Sequence, residues 1–227
     1  MFIIFDLDDT LIDSVRCLGQ VKLRAALKNM IDQGLVLPFS FEQAFAHLIK
    51  IDQTSLSGDE TFRKFLKEIN APISFVEMGK KVYYEYFEDG MKVDCVPYAI
   101  DVVSNLAKNH TLAIVTCGYE QQQHQKMKKA GLLTKYFSEI IVLPILSNKK
   151  IHYESLLAKY KYTPKQTIVC GDRFASDLAP AKELGIKTIH FRWGRGRCPL
   201  EPNQKPDYSI DSLAQVLPLI EKLQCQA

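Results

Sequence analysis

One tryptophan occurs in 227 residues, and the six cysteines contain no C-x-x-C pair. Cys17, Cys95, Cys117, Cys170, Cys198 and Cys225 are scattered. They lack the histidine spacing of a zinc site, so neither a disulfide framework nor structural zinc is expected. Reduced thiols suit a cytoplasmic protein, and Cys117 and Cys170 sit where small core residues would serve. Long apolar runs are missing as well. None approaches the ~20 residues that cross a bilayer, and Met1 leads straight into apolar residues, which leaves no room for a signal peptide. No membrane association is expected. Charge of one sign is also lacking: 29 Lys+Arg against 26 Asp+Glu give a net charge of +3. That balance lacks the basic stripe of a nucleic-acid binder. The locally basic "RWGRGR" (192–197) reads as a solvated loop, with a contact for an acidic partner as the alternative. The phosphate loop ending in Gly-Lys-Ser/Thr is absent. The five histidines (His47, His110, His124, His152, His190) show no triad or ligand spacing.

What the chain does contain is rhythm. Residues 2–5, "FIIF", read as a short, fully buried strand. From about 13 to 90 the apolar residues repeat at helical spacing: Leu23, Leu27, Met30 and Ile31, then Phe41, Phe45, Leu48 and Ile49, then Phe62, Phe65, Leu66 and Ile69. "FVEMGKKVYYEYF" makes a fourth helix, and "SFEQ" (Ser40 to Gln43) carries a capping-box signature. Tyr83, Tyr84 and Tyr86 on the fourth helix read as packing residues rather than a platform for a substrate ring.

From Pro97 onward helix and strand alternate. "YAIDVVSNLAKN" is followed by the strand "TLAIVT", and "QQQHQKMKKAGL" by "EIIVL". "YESLLAKY" precedes "TIVC", and "SDLAPAKELG" precedes "KTIHF". "DYSI" and the helix "SLAQVLPLIEKL" close the chain. Short apolar strands alternating with amphipathic helices predict a parallel sheet covered on both faces. In such sheets ligands sit beyond the carboxyl ends of the strands.

Those ends are where the chemistry collects. Asp6, Asp8 and Thr10 follow the first strand. Thr116 and Cys117 end the second, Lys149 and Lys150 precede a helix, and Asp172 and Asp177 follow "TIVC". Carboxylates crowded in a poorly hydrated place repel one another unless a cation compensates. An oxygen-rich set of this kind suits Mg2+. One aspartate can attack phosphorus, and a carboxylate two residues on can protonate the leaving oxygen. Hydroxyls and an ammonium can hold the phosphoryl oxygens. Singly, each residue has an ordinary explanation: a solvated turn, a helix cap, an exposed lysine. A calcium loop beginning at Asp6 would need Gly at Leu11 and Glu at Cys17. Only the joint order points to a site.

"FDLDDTL", "IVTCG", the lysine pair and "VCGDRFASD" together resemble the four motifs of the haloacid dehalogenase (HAD) superfamily, over residues 2 to about 195. The resemblance implies an α/β fold: a Rossmann-like three-layer core with a parallel sheet, residues 1–12 and 95–227, plus an inserted all-helical C1-type cap, residues 13–94. It implies Mg2+, with Asp6 as nucleophile and Asp8 as acid/base. Asp6, Asp8 (through its backbone carbonyl), Asp172 and Asp177 would be at the metal. Thr10, Thr116, Cys117 and one of Lys149 and Lys150 would be at the phosphate. Cys117 departs from the Asn that relatives often carry, and "SNKKIH" replaces a frequent Lys-Pro, so the lysine choice stays open. An acid at position 8 favours phosphoryl transfer over dehalogenation. The expected function is a Mg2+-dependent phosphatase acting on a small phosphomonoester. A phosphomutase and a non-catalytic binding or regulatory protein are the alternatives. The oligomeric state is not legible in the sequence.

Overall fold

The computed structural model describes residues 1–145 and 147–224; Cys225 lies outside the described residues. Six strands form one sheet: β1 (Phe2–Phe5), β2 (Thr111–Cys117), β3 (Glu139–Leu143), β4 (Thr167–Gly171), β5 (Lys187–Phe191) and β6 (Tyr208–Ile210). Their order is β3-β2-β1-β4-β5-β6, and every neighbouring pair is parallel. All four residues of β1 are buried, as are all five of β4. Side chains alternate between the two faces of a strand, so burial at every position means that both faces are covered. Phe2, Ile4, Val115 and Val169 join one core with Tyr153 and Leu156, while Ile3, Phe5 and Ile114 are equally buried on the opposite face.

The chain separates into two compact units, one built from Met1–Ser14 with Lys92 onward, the other from Val15–Met91. The second is helical. It comprises α1 (Gln20–Asp32), α2 (Phe41–Asp52), α3 (Gly58–Glu68) and α4 (Phe75–Glu85), preceded by a wide π-helical turn at Val15–Gly19. The capping box at α2 forms as the sequence predicts: Gln43 N donates to Ser40 Oγ at 3.4 Å, and Ser40 N donates to Gln43 Oε1 at 3.1 Å. Leu27, Met30, Leu48, Phe62, Phe65 and Tyr83 share this unit's core. Each such side chain contributes roughly 1.5–3 kcal/mol by leaving water. A Cβ at Gly79 would lie 3.0 Å from Met30 Sδ, so glycine is what lets α4 sit against α1. Tyr83 and Tyr84 pack within the unit, and Tyr86 Oη donates to Glu88 Oε1 at 2.6 Å.

In the first unit the helices are α5 (Ala99–Leu106), α6 (Glu120–Lys129), α7 (Lys150–Tyr160), α8 (Ala179–Glu183) and α9 (Val216–Gln224). Two expected helices are broken. "SDLAPAKELG" becomes a π-helical turn at Phe174–Leu178 followed by the short α8. Pro180, lacking an N–H, is placed in the first turn of α8, where no bond is lost. "SLAQVLPLIEKL" opens with a 3-10 turn at Leu213–Gln215 before α9. A third helix starts early: α7 begins at Lys150 rather than Tyr153, which proves decisive for the lysine pair. No helix among the described residues is long and apolar enough to cross a membrane.

Candidate active site

The sheet order places β1 between β2 and β4, so three loops remote in sequence open side by side. Asp6 continues β1, its N–H donating to Cys170 O at 2.9 Å. Beyond it the chain folds back on itself: Leu11 N and Ile12 N both donate to Leu7 O at 2.9 Å. Leu7, Leu11 and Ile12 are fully buried and anchor the loop, and Asp9 takes a left-handed conformation at φ 57°.

Asp6, Asp172 and Asp177 each offer a carboxylate oxygen, and these oxygens all lie within 4.8 Å of one another. All three residues are buried. Gly171 permits the approach, because a Cβ there would sit 2.7 Å from Asp177 Cβ. Asp177 is fixed by Arg173 N, which donates to Oδ2 at 3.0 Å, and by Ser176 Oγ, which donates to Oδ1 at 3.1 Å. Lys149 Nζ donates to Asp6 Oδ1 at 2.6 Å and to Asp177 Oδ1 at 2.8 Å.

The electrostatics show a cluster short of positive charge. Burial pushes the Asp6 carboxyl up to about 7, although Lys149 opposes the shift; the nearby Asp177 and Asp8 charges add to it. Burial drives Asp172 well above the usual carboxylate range against the pull of Arg173, with Asp177, Asp9 and Asp6 repelling it further. Its Oδ2 is buried with no hydrogen-bond partner, and Arg173 Nε stands 3.9 Å away. Burial alone would lower Lys149, but the Asp177 and Asp6 charges hold its pKa well above the ordinary value. One ammonium, with the Arg173 guanidinium at longer range, therefore faces three carboxylates. A hard divalent cation fits this donor set: oxygen ligands only, one of them unpartnered, in a pocket whose repulsion the ion would relieve.

Asp8 stands apart from that cluster. The expectation places Asp8 at the metal through its backbone carbonyl, and its carboxylate is turned elsewhere: it accepts hydrogen bonds from Lys126 Nζ at 2.7 Å, from Gln123 Nε2 at 2.8 Å and, closely, from Ser14 Oγ. The turn closing on Leu7 directs it toward α6. Burial would raise its pKa, but Lys126, Ser14 and Gln123 together hold it well below the usual carboxylate range.

Among the expected phosphate groups, Thr116 ends β2 in a buried position, and its Oγ1 accepts from Gln123 Nε2 at 2.9 Å. Thr10 is fully buried, and its Oγ1 has no hydrogen-bond partner. Cys117 Sγ donates to Ser147 O at 3.7 Å, and burial raises the thiol pKa. Lys150 is not brought to the acidic cluster. Its Nζ pairs with Glu183 Oε2 at 2.9 Å with the side chain 35% exposed, whereas the Lys149 side chain is 2% exposed. Successive residues on a helix diverge by about 100°, so one of two adjacent lysines at the start of α7 must face away.

The basic stretch, expected as a solvated loop, is exposed at Arg192 and Arg197 and packed between them. Arg195 and Gly196 are buried, and Trp193 Nε1 donates to Asp13 Oδ1 at 2.9 Å. Gly194 has φ 48°, and a Cβ there would meet Asp9 Cγ at 2.4 Å. A Cβ at Gly196 would lie 2.8 Å from Asp172 O. His190 Nε2 is 3.0 Å from that same carbonyl, which places the ring proton on Nε2. The glycines of this loop therefore let it press against both acid-bearing loops. Ser14, Gln123 and Lys126 were not foreseen. Their only trace in the sequence is that Gln123 and Lys126 are three apart on one helix face.

The sequence profile described as haloacid dehalogenase-like hydrolase matches residues 3–191. The chain belongs to this family. The HAD-like hydrolase is 30% identical over 233 residues to the glyceraldehyde 3-phosphate phosphatase of Methanocaldococcus jannaschii, covering 97% of each chain. It is 29% identical over 230 residues to the enzyme of the same name from Pyrococcus furiosus, covering 97% of this chain and 92% of the relative. Its fold matches the crystal structure of a predicted phosphoglycolate phosphatase from Haemophilus somnus with a TM-score of 0.72 at 21% identity, covering 96% of this chain and 97% of that one.

Proposed function

We propose that this site hydrolyses a small phosphomonoester with Mg2+, through an aspartyl-phosphate on Asp6. The phosphatase class follows from the family and from relatives that are phosphatases. The observation that carries the mechanism is the convergence of Asp6, Asp172 and Asp177 on one point with Lys149 Nζ between two of them.

Asp6 Oδ attacks phosphorus, forming an O–P bond as the P–O bond to the leaving group breaks. Asp8, held ionised in the free site by Lys126, Gln123 and Ser14, takes the acidic proton of the phosphomonoester monoanion and gives it to the departing alkoxide. It then takes a proton from the water that attacks the aspartyl-phosphate, returning free Asp6 and inorganic phosphate. Lys149, Thr116 and Thr10 hold the non-reacting phosphoryl oxygens; Lys149 supplies the charge, and the threonines supply hydroxyls from two separate loops. Asp6, Asp172, Asp177 and the Asp8 carbonyl would hold Mg2+, which supplies the charge compensation that lets an anionic nucleophile approach an anionic phosphate. The helical unit follows directly on the segment bearing Asp6 and Asp8, which supports reading it as the cap that selects the substrate.

Two relatives act on glyceraldehyde 3-phosphate by name, and we propose small three-carbon or two-carbon phosphate esters as the substrate class. A phosphate-release panel with glyceraldehyde 3-phosphate, phosphoglycolate, nucleoside monophosphates and sugar phosphates tests this. Release that requires Mg2+ and vanishes in Asp6→Asn is expected. Equal turnover by Asp6→Asn, or an isomerised sugar phosphate as the sole product, would overturn the proposal.

A further inference from the structure

We propose that Lys126 and Gln123 are positioning residues that aim the acid/base carboxylate of Asp8, an inference that rests on the phosphatase reading above. Both lie on α6, the helix that follows β2, and both are buried. Lys126 Nζ reaches Asp8 Oδ1 at 2.7 Å, and Gln123 Nε2 reaches Asp8 Oδ2 at 2.8 Å. With Ser14 Oγ also donating to Oδ1, both oxygens are engaged and the plane of the carboxylate is set.

The asymmetry of exposure separates this clamp from an ordinary structural ion pair. The Lys126 side chain is 9% exposed and the Asp8 side chain 30% exposed. The donors are sunk in the protein, while the acceptor looks outward, as a group that must meet a substrate oxygen does. Burying an ammonium is costly unless it is paired, and Asp8 is the carboxylate that pairs with it.

Gln123 adds a second link. Its Nε2 is 2.9 Å from Thr116 Oγ1 and 3.1 Å from Cys117 O, so one amide touches the end of β2 and the acid that follows β1. Gly118 makes room for it, since a Cβ there would come within 3.0 Å of Gln123 Nε2. The amide thereby sets the distance between the group that holds phosphate and the group that protonates the leaving oxygen. A misplacement of about 1 Å at such a point can cost about 100-fold in rate.

Leaving-group dependence provides the test. An alkoxide needs the proton that Asp8 delivers; p-nitrophenolate leaves without one. The ratio kcat/KM covers steps only through loss of the leaving group, so it isolates this event. The wild type, Lys126→Met and Lys126→Arg are compared on p-nitrophenyl phosphate and on the alkyl phosphomonoester cleaved fastest in the panel above. Lys126→Met is expected to lower kcat/KM on the alkyl ester by about 10–100-fold and on the aryl ester by less than about threefold, with most of the loss in kcat. Lys126→Arg, which can still donate to Oδ1, is expected to recover most of the alkyl activity. Equal losses on both esters, or an unaltered alkyl rate, would overturn the inference and leave the phosphatase reading intact. A wild type that releases no phosphate from any ester would overturn both.

Discussion

Lys149 Nζ stands 2.6 Å from Asp6 Oδ1, inside a cluster where three carboxylates are buried together. The ammonium bonds two of those acids, Asp6 and Asp177, and among the described residues no other cation does so. Its neighbour in sequence, Lys150, is turned to the surface and paired with Glu183.

Replacing the two lysines therefore separates their roles. Lys149→Ala is expected to lower kcat/KM on a phosphomonoester by about 10²–10³-fold, the scale of losing one fixed charge at a transition state. Lys150→Ala, which removes an exposed pair worth at most ~1 kcal/mol, should leave the rate within about twofold of wild type. Steady-state kinetics on the two variants decide the matter.

Charge removal at Asp172 should favour the fold and abolish function. Burial and the charges of Asp177, Asp9 and Asp6 disfavour its ionised form more than Arg173 favours it, and its Oδ2 has no hydrogen-bond partner among the described residues. In EDTA, Asp172→Asn is expected to melt above wild type by a few degrees, on the order of 1 kcal/mol for a chain this long. With Mg2+ the order should reverse, because wild type gains a ligand that binds only the folded state while the variant does not. Thermal melts with and without Mg2+ report both effects.

The pH dependence of the metal-free protein follows from Asp6. Its carboxyl is raised from 3.8 to about 7, chiefly by burial. The folded state thus binds a proton more tightly than the unfolded chain. The resulting stabilisation is fully present below 3.8 and is lost as pH rises through about 7. Mg2+ competes for the same oxygen in its deprotonated form, so the Mg2+-induced rise in Tm should be larger at alkaline pH than at mildly acidic pH. Melts across that range, in EDTA and in Mg2+, check both slopes.

Gly194→Ala tests the packed basic loop. The residue sits at φ 48°, and a Cβ would meet Asp9 Cγ at 2.4 Å. The backbone penalty of about 1–2 kcal/mol adds to an overpacking cost of about 1–3 kcal/mol. A loss of about 2–5 kcal/mol is expected in urea unfolding. A loop free in solvent would show only the smaller backbone share.

The parallel α/β architecture and the Asp6, Asp8, Thr116 and Asp172 positions were legible in the sequence because the signals are local. A buried strand between covering helices must be apolar at every position, and the residue that ends it is the one able to carry chemistry. Asp177 could be read as well, since it lies in the same loop as Asp172. The helical stretch from about 13 to 90 announced itself through four successive stripes of helical periodicity.

Only the tertiary structure chose between Lys149 and Lys150, because the choice turned on where α7 begins, and a shift of one residue rotates a side chain by about 100°. It likewise found Lys126 and Gln123 on Asp8, and the basic loop against Asp9 and Asp172. The contacts to Asp8 and Asp9 join residues more than a hundred positions apart, and the contact to Asp172 reaches back across a strand. No periodicity records such a pairing, since a buried lysine and a solvated one look the same until the element opposite supplies a carboxylate.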